Sequence, residues 1–352
     1  MTVNPSTLTG PNTPGGPGFG VLPGPAGRVR RRRWSSNAWL NFAIRRSGGL
    51  LLSLFVLVVL TFLMVPLIPG DPARAIAGTD ASAETLALLR ERMGLDKPLP
   101  VQFLDYLTGL FQFDLGTSFR FNEAVSVIVA TKLPYTAQLA LMAITVVLLV
   151  AVPAGMAVGV LTRGGRRRWL DMGFGNVAGF FASLPGYVTA TLLVVLFAIM
   201  IPIFPAGGAD SLGALVLPTL ALALGPTCAV ARVVRQETAT VLEQDYMRTA
   251  RGRRIPPLRL YLRHALPNLL TSTLTITGLI LASLLGGAII IETVFNYPGL
   301  GSEIIQAIIY RDYPVIQGII LVVGLIATLL NLLVDVVLGI IDPRTLGANS
   351  NG

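Results

Sequence analysis

The sequence predicts an all-α, polytopic membrane protein with six transmembrane helices. Hydrophobic residues make up 53% of the 352 and charged residues only 13%, where soluble domains average about 25% charged. Mean hydropathy is +0.70. Long apolar runs, nearly free of charge, recur along the chain, and a helix needs about 20 such residues to cross a hydrocarbon core. Lipid accepts only helices or closed barrels, because every backbone polar group must be satisfied internally. These runs are continuous rather than alternating, which excludes a barrel.

Taken in order, the runs are 47–69, 136–161, 174–202, 212–231, 269–291 and 315–340. The third contains Pro185, which predicts a kink or a short interfacial helix before the span. Asp171, Glu292 and Asp335 sit near run ends, where they are expected to reach water. "ARA" at 73–75 resembles a signal-peptide cleavage site. The apolar stretch before it exceeds the usual 7–15 or so residues, so the first run is expected to remain as a helix.

Charge sets the orientation. Twenty of the 27 basic residues fall on alternate connecting segments, beginning with seven arginines in 1–46. "TRGGRRRW" after the second run carries four more, and 232–264 carries eight. The intervening loop 70–133 has six basic against eight acidic residues. This alternation is the positive-inside rule and predicts both termini in the cytoplasm. The +9 net charge is thereby assigned to topology, and no nucleic-acid partner is expected. Residues 1–45 read as a disordered, Gly/Pro-rich and then basic segment. "RVRRRR" within it is either a grip on anionic membrane lipid or a plain juxtamembrane charge. The transmembrane domain is expected over 46–345, with a tail at 346–352.

The loop 70–133 is too long for a simple connection. "SAETLALLRERMG" offers Ser82 as N-cap, Glu84 in the first turn, Leu86, Leu89 and Met93 on one face, and Gly94 as a stop. "PVQFLDYLTGLF" places Phe103, Leu107, Leu110 and Phe111 on another helical face. Two short amphipathic helices follow from this, packed on the bundle or laid on the membrane surface.

Several chemistries are excluded or disfavoured. The two lysines, Lys97 and Lys132, do not follow glycine, so the phosphate-binding G-x-x-x-x-G-K-[ST] loop is absent. One histidine, His264, and one cysteine, Cys228, cannot build a zinc site. The mid-span positions lack the carboxylate or histidine of a typical proton-coupled carrier, and no nucleophile–base constellation marks an enzyme. A secondary ion-coupled transporter and a membrane enzyme are the rival classes. Neither has residues in its favour.

The arginine-rich segment "DYMRTARGRRIPPLRLYLRHALPN" spans residues 245–268. The run from 232 is helix-compatible, with Tyr246, Met247 and Ala250 at one-turn spacing. Gly252 is expected to supply a sharp reversal, Pro256 and Pro257 forbid continuation, and "LRLYLRHALPN" restarts a helix, with Pro267 at the boundary of the fifth span. Helix, turn and helix make a knob joined to two spans. On residues alone, a knob gripped by a partner and an ordinary basic loop both stand.

This segment resembles the conserved cytoplasmic loop of ABC-importer permeases, E-A-A, three residues, G, nine residues, I-x-L-P. Arg248, Thr249 and Ala250 take the E-A-A places, Arg254 the glycine place, His264 the isoleucine place, and Leu266–Pro267 the ending. "VPLIPGDPA", "MGLDKPLPVQFLDYLTGLFQFDLGTSF", "ETVFNYPGLG" and "RDYPVIQG" extend the likeness over most of 45–345. The chain is thus similar to the B-type permease subunit of dipeptide/oligopeptide/nickel importers. The resemblance implies the type I ABC importer permease fold with an extended external loop of short helices, in the bacterial plasma membrane. It implies a C-type permease as heterodimer partner, two cytosolic ATPase domains, an extracytoplasmic solute-binding lipoprotein, and peptide as the solute, with a nickel chelate as an alternative. No cofactor is expected on this chain, ATP and Mg2+ being bound by the partners. Asp245, Tyr246, Arg248, Thr249, Ala250, Arg251, Gly252, Arg254, His264 and Pro267 would couple to the ATPases, with Arg251, Arg253 and Arg254 pairing with acids there. Asp96, Gln102, Asp114, Asn296, Tyr297 and Asp312 would meet the binding protein.

Overall fold

The computed structural model describes residues 37–67, 72–77 and 81–341. The expected disorder before residue 37 and the tail 346–352 lie outside these. Regular structure among the described residues is helical, apart from one isolated bridge between Thr117 and Ala124.

Helix α1 (Asn37–Leu67) begins earlier than its apolar run, so 37–45 is helical where disorder was expected. Three short helices follow, α2 (Pro72–Ala77), α3 (Ala83–Arg92) and α4 (Leu99–Phe111). Ser82 caps α3 as expected, its Oγ accepting from the Thr85 N–H at 3.2 Å, and Gly94 stops it at φ 65°. Leu86 is buried. On α4, Phe103 meets Phe62 of α1 edge-on at 5.1 Å. Phe111, expected on the same face, is instead 80% exposed, because the chain turns away at the helix end.

Helix α5 (Val125–Leu161) starts well before its apolar run and carries Pro134 and Pro153 within it. Helix α6 (Arg168–Ser183) and α7 (Gly186–Val194), the latter extended by a π-helical turn over Val195–Met200, meet at 95° across Leu184–Pro185. The proline-based kink is thus borne out. Next come α8 (Leu212–Glu243), α9 (Asp245–Gly252) and α10 (Pro257–Leu260). A π-helical turn over Tyr261–Ala265 runs from α10 into α11 (Leu266–Val294). Helices α12 (Leu300–Tyr310) and α13 (Tyr313–Ile341) complete the order. Among the described residues five helices, in α1, α5, α8, α11 and α13, are long and apolar enough to cross a membrane, and the bent α6–α7 pair makes a sixth if it counts as one span.

Small residues bring the backbones together. At Gly155 a Cβ would stand 2.5 Å from the Ala231 carbonyl, and at Gly159 one would stand 2.8 Å from Thr238 Cβ. This glycine pair four residues apart lets α5 lie directly on α8, as small-residue motifs do in lipid. Two hydrophobic clusters result. The larger joins α5, α8, α9 and α11, from Leu139 to Tyr297; the smaller joins Val125, Ile128 and Val129 to α12 and the start of α13.

Candidate functional site: the elbow between α8 and α11

Gln244 breaks α8 with ψ 150°, and α9 restarts at once. Asp245 begins α9 at its positive dipole end, and Arg251 lies in the last turn, the favourable arrangement for both. An eight-residue helix is too short to persist alone, so tertiary contacts must hold it. Met247 is fully buried and Ala250 is 9% exposed, both within the larger core. The Arg251 guanidinium donates from Nη2 to the Leu242 carbonyl at 2.6 Å, closing the end of α8. Burial, and then the nearby Arg163 charge, lower its pKa, yet arginine remains cationic. Tyr246 reaches toward Asn268 at the start of α11, and burial raises its phenol pKa. The elbow is therefore tied to both flanking helices.

The opposite face is open. Asp245, Arg248, Thr249 and Gly252 are exposed and follow helical spacing, so they form one outward stripe. Arg248 pairs with Asp245 at 3.4 Å. A Cβ on Gly252 would meet nothing within 4 Å.

Several expectations need correction here. Ala250 faces the core, not outward. Arg251 gives one guanidinium N–H to the Leu242 carbonyl, so its side chain is anchored inward as well as partly open. Gly252 ends α9 and does not make the reversal; Arg254, in the family's glycine place, adopts φ 56° itself. The residue needing glycine's freedom is arginine, and it pays the left-handed strain. Pro267 lies in the first turn of α11, at the boundary expected for it, where its missing N–H costs nothing. His264 sits in the π-helical turn, its carbonyl accepting from Asn268 Nδ2 at 2.9 Å.

The far end carries the residues expected to meet a binding protein. Asp96, Asp114 and Asn296 are exposed. Asp114 Oδ1 accepts from Gly116 N–H at 2.8 Å, tightening that turn. Gln102, Tyr297 and Asp312 are committed internally. Gln102 Nε2 donates to the Lys97 carbonyl at 2.8 Å. Tyr297 is fully buried and its hydroxyl donates to Gln138 Oε1 at 3.2 Å. Asp312, 2% exposed, accepts from Ser118 Oγ at 2.5 Å and from the N–H groups of Phe119 and Arg120 at 3.2 and 3.3 Å. It pins the loop before α5 to the α12–α13 junction.

Sequence reasoning also misjudged Glu292. It is fully buried rather than water-facing. Its Oε2 accepts from Gly301 N–H at 2.6 Å and Ser302 N–H at 3.3 Å, placing a carboxylate on the N-terminus of α12. A Cβ on Gly299 would collide with the carboxylate, and one on Gly301 would stand 2.8 Å from Oε2. Two glycines following an acid in "ETVFNYPGLG" were the available signal.

Residues 151–347 match the model of the binding-protein-dependent transport system inner membrane component, and residues 39–140 match the N-terminal model of the same transport-system membrane component. The chain belongs to this family. It is a permease subunit of an ABC importer and not an enzyme. A putative peptide transport system permease protein of Brucella suis biovar 1 (strain 1330) is 41% identical over 299 residues, 83% of this chain and 94% of that one. The glutathione transport system permease protein GsiC of Salmonella typhimurium is 40% identical over 304 residues, 86% of this chain and 98% of that one. Among solved structures, an inward-facing MetNI methionine ABC transporter aligns with TM-score 0.51 at 17% identity, over 62% of this permease and 97% of that chain. That likeness shows the fold.

Proposed function

We propose that this permease forms, with a C-type permease, the path for di- and oligopeptides delivered by an extracytoplasmic solute-binding lipoprotein, and that α9 takes the force of two cytosolic ATPase domains. The observation that carries the coupling role is the outward stripe Asp245, Arg248, Thr249 and Gly252 on a helix whose inner face is part of the main core. A docking helix must present a face and must not give way behind it. Relatives named for peptide and glutathione transport support peptide as the solute class. The arginine-rich end, with both termini, is read as cytoplasmic. Asp96, Asp114 and Asn296 remain as the exposed contacts for the binding protein.

The test uses the permease pair co-expressed with its ATPases. Gly252→Glu and Thr249→Glu place a bulky charge on the open stripe without touching the core. Both variants should insert normally, lose the ATPases on purification, and fail to support peptide uptake. ATPases retained at the wild-type level in both would overturn the placement, and uptake of peptide by this chain alone would overturn the reading as a dependent subunit.

A further inference from the structure

We propose that the cleft between α6 and α8 is a binding site for the headgroup of an anionic phospholipid, with Arg232 as its phosphate ligand. The inference does not rest on which solute is carried. The cleft, about 430 Å3, is lined by Asp171, Phe174, Arg232, Val233, Arg235 and Gln236 among others. That volume lies within the about 300–1,000 Å3 of ordinary ligand sites.

Its electrostatics leave one charge unmet. Asp171 at the start of α6 is neutralised by an ion pair with Arg235 Nη2. Arg232 is one turn, roughly 4.5 Å, closer to the apolar body of α8, and is exposed. Among the described residues it makes neither an ion pair nor a side-chain hydrogen bond. Its Nη1 lies over Gly179, 3.7 Å from where a Cβ would stand, so the small residue lets the guanidinium extend along α6. Two arginines against one aspartate leave the cleft positive. A lone guanidinium at the edge of a hydrocarbon layer is costly, and its planar fork matches two phosphate oxygens.

The surroundings specify lipid rather than a soluble anion. Trp169, Met172, Val177 and Phe180 are exposed on α6, and their helical spacing puts them on one outward apolar face. Tryptophan favours the membrane–water boundary. Phe174, Ala229 and Val233 in the cleft itself suit the glycerol and first acyl carbons below a phosphate. Four arginines, from Arg163 to Arg168, precede the face. Basic clefts between helices at such an end are suited to anionic headgroups.

Trp169, at the level of the cleft but on the outward face of α6, reports the lipid gathered around that helix. Trp34→Phe and Trp39→Phe leave it as the sole indole of the three. The full chain is placed in phosphatidylcholine vesicles, and acyl-brominated phosphatidylglycerol or acyl-brominated phosphatidylcholine is titrated in. Brominated phosphatidylglycerol should half-quench Trp169 at a mole fraction lower by about fivefold, the effect of one basic side chain near the surface. Arg232→Gln should bring that preference close to unity, Arg232→Lys, which keeps the charge but lacks the fork, should retain only part of it, and Arg259→Gln on the elbow should leave it unchanged. Equal quenching by both lipids in the otherwise wild-type chain overturns the proposal without recourse to any Arg232 variant. So does no quenching by either, or an equal loss in Arg259→Gln, which would mean diffuse surface charge.

Discussion

Met247→Ala tests whether the elbow is a rigid handle. Met247 is fully buried and belongs to the same core as Leu242 of α8 and Leu269 of α11. Truncating a buried methionine costs about 2–5 kcal/mol. Helix α9, with eight residues, has almost no stability of its own, so that cost falls on its docking. A loss of about 3 kcal/mol lowers the docked-to-undocked ratio roughly hundredfold. Amide exchange over residues 245–253 should accelerate by a similar factor, since local opening governs exchange there, while exchange in the middle of α5 should not change. In the assembled importer, ATP turnover should continue while peptide moved per ATP falls. Met247→Leu keeps the volume and costs less than about 1.5 kcal/mol, so it should leave both readings near wild type. Unchanged exchange over 245–253 in Met247→Ala would refute the claim that core burial holds the elbow.

Three further outcomes follow from local geometry. Arg254→Gly removes about 1–2 kcal/mol of left-handed strain and adds about 0.5–1 kcal/mol of chain entropy, so exchange over 251–256 should slow several-fold; faster exchange would contradict the φ of 56°. Asp312→Ala strips the acceptor from the Ser118 hydroxyl and from the Phe119 and Arg120 N–H groups, a loss of about 2–4 kcal/mol. Limited proteolysis over 111–124 should then quicken, and an unchanged cleavage rate would show the pin to be dispensable. Burial raises Tyr106 to about 12; burial, then the Glu292 and Tyr135 charges, raise Tyr297 to about 12. Because the folded state holds these protons more tightly, their stabilisation is complete below about pH 10 and fades between about pH 10 and 12. Phenolate absorbance should show at least two of the eight tyrosines, Tyr106 and Tyr297, ionising late, together with unfolding; all eight ionising together near pH 10 would be inconsistent with their burial.

Much of this fold was legible because lipid imposes a simple code of long apolar runs. The errors lie where a helix outlasts its run. Residues 125–135 contain Lys132, Pro134 and Tyr135, which remove them from an apolar window, yet α5 begins at Val125. Intramembrane helices tolerate proline where neighbours satisfy the freed carbonyl. Lys132 is met by Glu303 of α12 at 3.5 Å, a partner far away in sequence. The elbow was legible as helix, turn and helix, but its sidedness was not. Whether Ala250 or Thr249 points outward depends on how α9 rolls against α8, and Met247 decides that by filling the core. Gly252 looked like the turn because glycine usually supplies positive φ; the fold places that need at Arg254. Glu292 and Asp312 looked like surface carboxylates because their partners, backbone N–H groups and for Asp312 also the distant Ser118 hydroxyl, leave no mark in a sequence.

Those two carboxylates occupy corresponding positions in the architecture. Glu292 binds the end of α11 to the start of α12, and Asp312 binds the α12–α13 junction to the segment before α5. Both are at the end opposite the elbow, where consecutive helices join through short connections. Helix α5 runs between the two ends, giving Leu139 to Met156 to the core that holds α9 and Val125 to Val129 to the core beneath α12. If the ATPases displace α9 as proposed, close-packed helices rather than a loop connect it to the far end. Packed cores transmit such a displacement because they are stiff, but flexible junctions at the far end would absorb it. Carboxylates buried against backbone N–H groups remove that slack. They are costly to desolvate, and joints that must move as one body with the elbow are where such rigidity has a use.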